Sequence, residues 1–315
     1  MHSALLAVAL LVGCLLAVQA SVNLQLNSAV GTPYGASTVQ LSVATGILII
    51  IAAVFGTLGA LGKLSDVDGW HLLGGLASPL YITSGILLFP RLGALVSVGL
   101  FVTGQMFASL GIDLLGLFGL EKKPLGVGIV LGALAVLVGI VVIVRGQLRA
   151  AAAAAPGAAQ LSGAARVGWL ALGIVAGGVL PIQGAINAKL RADLNAPITV
   201  AAISFTVATV TIAVVLIALR ATNRTPAPKV APLKKMPWWG WLGGACAAAY
   251  VTGTFMLIPS IGAAVTVALT VTGQQLTSAV IDHNGLFRLP KRALNSSRLI
   301  GLVCLIGGSL AIQLS

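Results

Sequence analysis

Charge is what this 315-residue chain has least of. Only 8% of its residues are Asp, Glu, Lys or Arg while 58% are hydrophobic, whereas a soluble domain carries roughly 25% charged residues. With a mean hydropathy of +1.07, that shortage excludes an ordinary soluble domain and leaves a polytopic membrane protein. Acids are scarcer still, six against 18 basic residues, for a net charge of +12. The basic residues stand in short breaks between apolar runs, so the excess bears on topology and excludes a nucleic-acid footprint. Cysteines number three. Cys14, Cys246 and Cys304 each lie in an apolar run, with neither paired spacing nor nearby His, which excludes a disulfide framework and a metal site and leaves small packing residues. Catalytic and nucleotide motifs are also missing. Gly62-Lys63 lacks the upstream Gly and following Ser/Thr of a phosphate-binding loop, and no HExxH, GxSxG or paired-carboxylate pattern occurs. An enzyme is therefore not expected, no cofactor is implied, and gradient-driven transport is the better reading.

What is present is length of apolar sequence. A helix crosses ~30 Å of hydrocarbon in roughly 20 residues, and runs of that length recur ten times, near 4–25, 36–61, 70–89, 92–114, 125–146, 166–187, 198–220, 238–258, 261–282 and 298–314. Turn chemistry marks the breaks, at Gly31-Thr32-Pro33, Ser65-Asp66-Val67-Asp68-Gly69, Pro90-Arg91, Lys122-Lys123-Pro124, Asn195-Ala196-Pro197 and Leu289-Pro290. The Ala-rich 149–163 and the Pro/Lys-rich 221–237 read as flexible linkers. The expected organisation is a first five-helix repeat over 1–148, a linker over 149–164 and a second five-helix repeat over 165–315.

The two halves repeat. Residues 70–118 align without a gap on 239–287, and 23 of the 49 positions are identical, among them Gly74-Gly75 with Gly243-Gly244, Tyr81 with Tyr250, Thr103-Gly104-Gln105 with Thr272-Gly273-Gln274, and Asp113 with Asp282. Upstream, Gln19 and Asn23 fall on Gln183 and Asn187. An odd number of spans per repeat requires the halves to enter the membrane in opposite senses, the inverted-repeat plan of many secondary transporters. One side of the resulting topology holds Lys63, Lys122, Lys123, Lys189 and Arg191 and the other the remaining thirteen basic residues, so the positive-inside rule puts both termini outside the cytoplasm.

The polar residues inside the spans keep helical spacing. Gln105, Ser109 and Asp113 form an i, i+4, i+8 stripe that Gln274, Ser278 and Asp282 repeat, and Gln19 with Asn23 is mirrored by Gln183 with Asn187. Each must face protein or a water-filled cavity, because an unpaired amide in hydrocarbon costs several kcal/mol. Two readings stay open. The stripes are interhelical glue, or they converge on a midplane substrate site together with Thr103, Thr272, Tyr81 and Tyr250. Pro181 is expected to interrupt the sixth span just before Gln183. Asp113 and Asp282, close to span ends, are either ion sites or anchors paired with Lys122, Lys291 or Arg292. His283 has no counterpart and reads as interfacial.

"LPIQGAINAKLRADLNAPITVAAISF", "PWWGWLGGACAAAYVTG" and "IPSIGAAVTVALTVTGQQLTSAVIDHNGLF", with their first-half versions, resemble the YdcZ-like branch of the drug/metabolite transporter superfamily. The resemblance is close over 165–315 and looser but continuous over 6–147. It implies an all-α integral membrane protein of ten helices in two inverted five-helix repeats, whose first, third and fourth helices line a central cavity. Gln19, Asn23, Tyr81 and Gln105, with Gln183, Asn187, Tyr250 and Gln274, fall on those helices. It implies a transporter and not a cargo; the expectation drawn from the residues is a multi-pass protein of the bacterial inner membrane that exports small polar or amphipathic metabolites by alternating access. Its partners would be a small-molecule substrate and the lipid bilayer, with a homodimer left open. The small multidrug resistance relatives carry Glu in mid first helix where Gln19 and Gln183 stand here, so a neutral or zwitterionic cargo suits the amides better than an organic cation. The rival readings are a non-transporting membrane scaffold or assembly protein and a flippase of a lipid-linked intermediate. Leu11-Val12-Gly13-Cys14 resembles a lipobox and Val18-Gln19-Ala20 a signal-peptidase site. Because Met1-His2-Ser3 lacks a charged n-region, and the cut would fall in a motif that recurs mid-chain, no cleaved signal peptide is expected.

Overall fold

The computed structural model describes the backbone of residues 2–119, 122, 124–154, 163–261 and 263–314, and within these the side chains except those of 2, 147, 148, 150–154, 255, 258, 259, 263–265 and 313. The described chain is built of helices joined by turns and loops. Its α-helices are α1 (His2–Val30), α2 (Pro33–Val54), α3 (Ala77–Leu92), α4 (Ala94–Leu115), α5 (Val127–Ala154), α6 (Gly163–Leu194), α7 (Pro197–Ala221), α8 (Leu242–Ile261), α9 (Ala263–Asn284) and α10 (Ser296–Leu314). Seven segments among the described residues are long and apolar enough to cross a membrane, namely Ser3–Val30, Pro33–Val54, Gly69–Leu92, Ala94–Leu115, Val127–Gly146, Gly163–Leu194 and Pro197–Ala221, while Ser296–Ile312 is a shorter apolar helix. In hydrocarbon the backbone must satisfy its own hydrogen bonds, which is why long apolar runs take this form.

Helix ends follow local chemistry. Pro33 and Pro197 each occupy the first turn of a helix, where a missing N–H costs nothing. α2 stops at Val54, earlier than hydropathy suggests, because Gly56 turns left-handed at φ 68° and the chain continues as a 3-10 segment over Thr57–Asp66. Pro181 does not interrupt its helix. α6 runs through it as α3 runs through Pro90. The Ala-rich linker begins as helix, since α5 continues to Ala154; residues 155–162 lie outside the described residues. The segment 221–237 is docked and not a free linker. The Lys229 N–H donates to the Val30 carbonyl at 2.9 Å, the Thr225 and Thr32 hydroxyls meet at 2.8 Å, and Leu233 and Met236 pack on the core.

Glycines set the interhelical distances, and they do so in pairs drawn from equivalent positions of the two halves. A Cβ on Gly177 of α6 would sit 2.0 Å from the Phe101 carbonyl oxygen of α4, and one on Gly13 of α1 would sit 2.0 Å from the Thr270 carbonyl oxygen of α9. Likewise Gly104 abuts the Ile174 carbonyl and Gly273 the Leu10 carbonyl, while Gly74 abuts Asn187 and Gly243 abuts Asn23. The first long helix of each half is thus lodged against the third and fourth helices of the other. α2 and α7 meet through Thr45 and its own counterpart Thr209, hydroxyl to hydroxyl at 2.9 Å. α5 and α10 pair separately, with Gly132 and Gly139 backed onto Gly308 and Gly301. Small residues are the usual means of helix association in lipid, where no hydrophobic force separates protein from solvent.

These contacts predict that Gly177→Ala lowers the melting temperature in detergent, because the methyl overlaps the Phe101 backbone and overpacking costs about 1–3 kcal/mol. Gly46→Ala in α2, with nothing within 4 Å, should leave the melting temperature unchanged or raise it.

Candidate functional site

A cavity of about 430 Å³ lies among α1, α3, α4, α6, α7, α8 and α9, within the range of small-molecule sites. Its polar lining includes Gln19, Ser78, Tyr81, Gln105, Ser109, Asp113, Gln183, Asn187, Arg191, Tyr250, Thr254, Thr266 and Thr270, set among apolar Leu16, Ile82, Met106, Leu180, Phe205 and Val251. On α4 and α6 the lining residues fall in the C-terminal halves and on α9 in the N-terminal part, so the cavity extends toward one end of the helix bundle. At its inner limit Tyr81, 5% exposed and packed on Phe101 at 4.8 Å, accepts a hydrogen bond from Gln274 Nε2 at 3.0 Å.

The amides divide into paired and unpaired. Gln183 Nε2 donates to Ser78 Oγ at 2.9 Å and to Ser204 Oγ at 3.3 Å, and Asn187 Nδ2 donates to Ser204 Oγ at 3.1 Å. Gln19 Oε1, Gln105 Nε2 and Asn187 Oδ1 are buried with no partner among the described residues. Orphaned buried polar atoms cost about 1–3 kcal/mol each, and all three residues that carry these line the cavity, although the Asn187 Oδ1 itself lies against Gly74. Asn23, Gln274 and Gln275 also carry orphaned atoms but do not line it.

Of the residues that the sequence marks as candidates, Gln19, Tyr81, Gln105, Ser109, Asp113, Gln183, Asn187 and Tyr250 line the cavity. The others do not. Asn23 pairs with Gln40, Thr103 and Thr272 donate back into their own helices, and the Ser278 hydroxyl bonds the Gln275 carbonyl. Sequence reasoning missed Arg191, assigning it to a loop. It follows Gln183 and Asn187 at i+8 and i+4 and extends their stripe on α6; its counterpart in the first half is Asn27.

Asp282 stands outside the cavity, at the bundle end reached by the start of α4, and it is wholly buried. Its Oδ1 accepts the Ala94 N–H at 2.8 Å, and its Oδ2 accepts the Leu95 N–H at 3.1 Å and Arg298 Nη2 at 2.6 Å. The carboxylate therefore caps α4, where the helix dipole favours negative charge, and fastens α9 to α10. Arg298 also donates to the carbonyls of Arg292 and Ala293, and the Arg292 N–H closes onto the Asp282 carbonyl at 2.7 Å. The expected partners Lys291 and Arg292 are replaced by Arg298, in the first turn of α10, because the α9–α10 loop folds back over the carboxylate. Burial lowers the pKa of Arg292; the nearby Asp282 opposes that shift and Arg298 adds to it. Asp113, the sequence counterpart of Asp282, faces the cavity at the other end. Among the described residues no group of three or more His, Cys, Asp and Glu is placed to hold a metal.

The family model described as "Putative inner membrane exporter, YdcZ" matches residues 4–142 and again 168–311. No curated protein matches. A solved structure described only as "Crystal structure of protein" superimposes with a TM-score of 0.57 over 96% of this chain and 95% of its own, at 18% sequence identity, a likeness of fold alone.

The clasp carries its own prediction. Asp282→Asn leaves the buried Arg298 charge uncompensated and should cost about 3–5 kcal/mol, read as a lowered melting temperature; Arg298→Met combined with Asp282→Asn should recover part of that loss.

Proposed function

The chain belongs to the DMT_YdcZ family, and on that ground we propose that it is a secondary transporter that exports small polar or amphipathic metabolites by alternating access. It is a multi-pass membrane protein, and the family's description as an exporter points to transport and not catalysis. The finer reading is ten spans in two inverted five-helix repeats, over 1–148 and 165–315, in the inner membrane. Three features support it: the family match occurs twice, equivalent glycines make equivalent contacts across the halves, and Thr45 bonds its own counterpart Thr209. Self-contact between equivalent residues is what a two-fold axis relating the halves would produce.

The observation that carries the transport reading is one-sidedness. A cavity with orphaned amide atoms occupies one end of the bundle, while the other end is held shut by the Asp282 clasp. A carrier caught with its site accessible from one face has that form, and rocking one half against the other would expose the site to the opposite face. The substrate-binding set narrows to the residues on the cavity wall, Gln19, Tyr81, Gln105, Ser109, Gln183, Asn187 and Tyr250. Asn23, Thr103, Thr272, Gln274 and Ser278 serve helix packing in this conformation, and Asp282 is a structural anchor. A scaffold whose polar stripes only lock helices together would pair Gln105 and Gln19 as it pairs Gln183.

Purified protein in proteoliposomes, challenged with a metabolite panel, tests this reading. Gln105→Ala should reduce transport at least tenfold and leave the melting temperature unchanged or raised, since it removes an orphaned donor. Gln183→Ala should lower both, because it also breaks the bonds to Ser78 and Ser204. Wild-type transport by the Gln19→Ala/Gln105→Ala double variant would sink the assignment.

A further inference from the structure

Pairing each residue with its counterpart in the other half sorts the cavity wall into two sets. Gln19 with Gln183, Tyr81 with Tyr250, Leu16 with Leu180 and Ile82 with Val251 are counterparts, and both members of each pair line the cavity. Gln105, Met106 and Thr266 line it too, but their counterparts Gln274, Gln275 and Ser97 do not. The first set is central to the two halves; the second belongs to the open end. The excluded counterparts stand toward the clasped end. Ser97 follows Leu95, whose N–H bonds Asp282, and Gln274 and Gln275 precede Asp282 by about two turns of α9.

These three residues are at most 1% exposed, yet Ser97 Oγ, Gln274 Oε1 and both amide atoms of Gln275 have no partner among the described residues. Asn27 Oδ1, near the clasped end of α1, is orphaned as well, and its counterpart Arg191 lines the cavity. Most of the remaining orphans away from the cavity have local accounts. Arg292 and Arg298 belong to the clasp, and Asn23 Oδ1 lies against Gly243 as Asn187 Oδ1 lies against Gly74. Among the described residues Thr252 and Ser309 alone fall outside the pattern. One hydrogen bond shows the same exchange. Gln274 Nε2 donates to Tyr81 Oη at 3.0 Å, whereas Gln105 Nε2, the equivalent atom on the cavity wall beside Tyr250, has no partner.

Resting on the transporter reading above and its two inverted repeats, we infer that the clasped end holds a second, latent vestibule for polar cargo, lined by Asn27 of α1, Ser97 of α4 and Gln274 and Gln275 of α9. Its opening exchanges the Tyr81–Gln274 bond for a Tyr250–Gln105 bond. Gln19, Gln183, Tyr81 and Tyr250 then form the part of the site common to both states, and the two vestibules alternate around it. Polar groups that cost free energy while dry and unpaired are satisfied once water or cargo reaches them. Amides and a hydroxyl offer both donors and acceptors, so the passage suits cargo that hydrogen-bonds in both senses.

The test uses the full chain with Cys14, Cys246 and Cys304 replaced by Ala, in membrane vesicles of both orientations, probed with a membrane-impermeant maleimide. Ser97→Cys should be labelled from one face and Thr266→Cys from the other. Tyr81→Phe removes a bond made only with the clasped end shut, and should speed labelling of Ser97→Cys by about fivefold, the weight of one typical hydrogen bond. Tyr250→Phe removes the bond of the opposite state and should slow it by a similar factor. Each variant loses one hydroxyl, so a merely structural role would not give shifts of opposite sign. The inference is overturned if Ser97→Cys stays unlabelled in the parent and both Tyr variants, if it is labelled from the same face as Thr266→Cys, or if the two Tyr variants leave its rate unchanged or move it in one direction. Transport is read separately. Counterflow of any compound from a broad metabolite panel keeps the transporter reading when the labelling fails, and absence of counterflow across the panel removes that reading.

Discussion

A bilayer offers no hydrogen bonds, so each polar side chain that this apolar chain places within a span must be satisfied by protein or by something the protein admits. The two ends of the helix bundle meet that constraint in different ways. At one end Asp282 spends both oxygens on the first amides of α4 and on Arg298. At the other, Gln19, Gln105 and Asn187 line the cavity, and each keeps a buried amide atom with no partner among the described residues. The first solution stabilises one arrangement of helices. The second leaves that stabilisation to be supplied by whatever enters.

The glycine contacts make the two solutions parts of one device. Because α1 is pressed into α8 and α9, and α6 into α3 and α4, each cavity-lining amide stripe is carried on a helix gripped by the other half of the chain. If α1 and α6 move with the helices that grip them, movement of one half against the other carries Gln19 relative to Gln105, Tyr81 and Gln183. Gly177 and Gly104 allow α4 and α6 to touch backbone to backbone at one level, and the two helices carry the cavity beyond it. A larger side chain there would separate the helices where they are closest and displace the polar stripes that follow.

Much of this was legible in the sequence because the bilayer simplifies the code. Each apolar run contains a helix, though α2 ends and α3 begins several residues inside the expected bounds and α6 runs on past its own, and the stripe from Gln105 to Asp113 reached the cavity because helical spacing alone puts those residues on one face. What escaped depended on placement in three dimensions. Thr103 and Gln105 are two residues apart, yet the Thr hydroxyl folds back onto its own helix while the amide faces the cavity. Asp282 was expected to pair with a neighbouring base, but the α9–α10 loop brings in Arg298 instead. Arg191 looked like a loop residue because Pro197 follows so soon, though α6 continues past it to Leu194. The segment 221–237 has a linker's composition, but Leu233 and Met236 are enough to bind it to the core.

The duplicated sequence has diverged at the positions where the two ends of the bundle now differ. Asp113 and Asp282 are the same residue in the two halves, but Arg298 is answered by Ile129, Arg191 by Asn27 and Gln275 by Met106. A perfectly symmetric pair of repeats would hold both ends in equal balance, since any contact closing one end would be available at the other. Here α10 supplies Asp282 with a buried guanidinium, whereas the matching position in α5 is apolar. The clasp at one end therefore has a component that the other end lacks, and on the alternating-access reading proposed above it would weight the equilibrium between conformations toward the one in which α4 is capped. Any ligand that shifts this equilibrium must bind the alternative conformation more tightly by at least the free energy of that bias. Fusing two copies into one chain is what allows such a bias, because each copy can then change independently of the other.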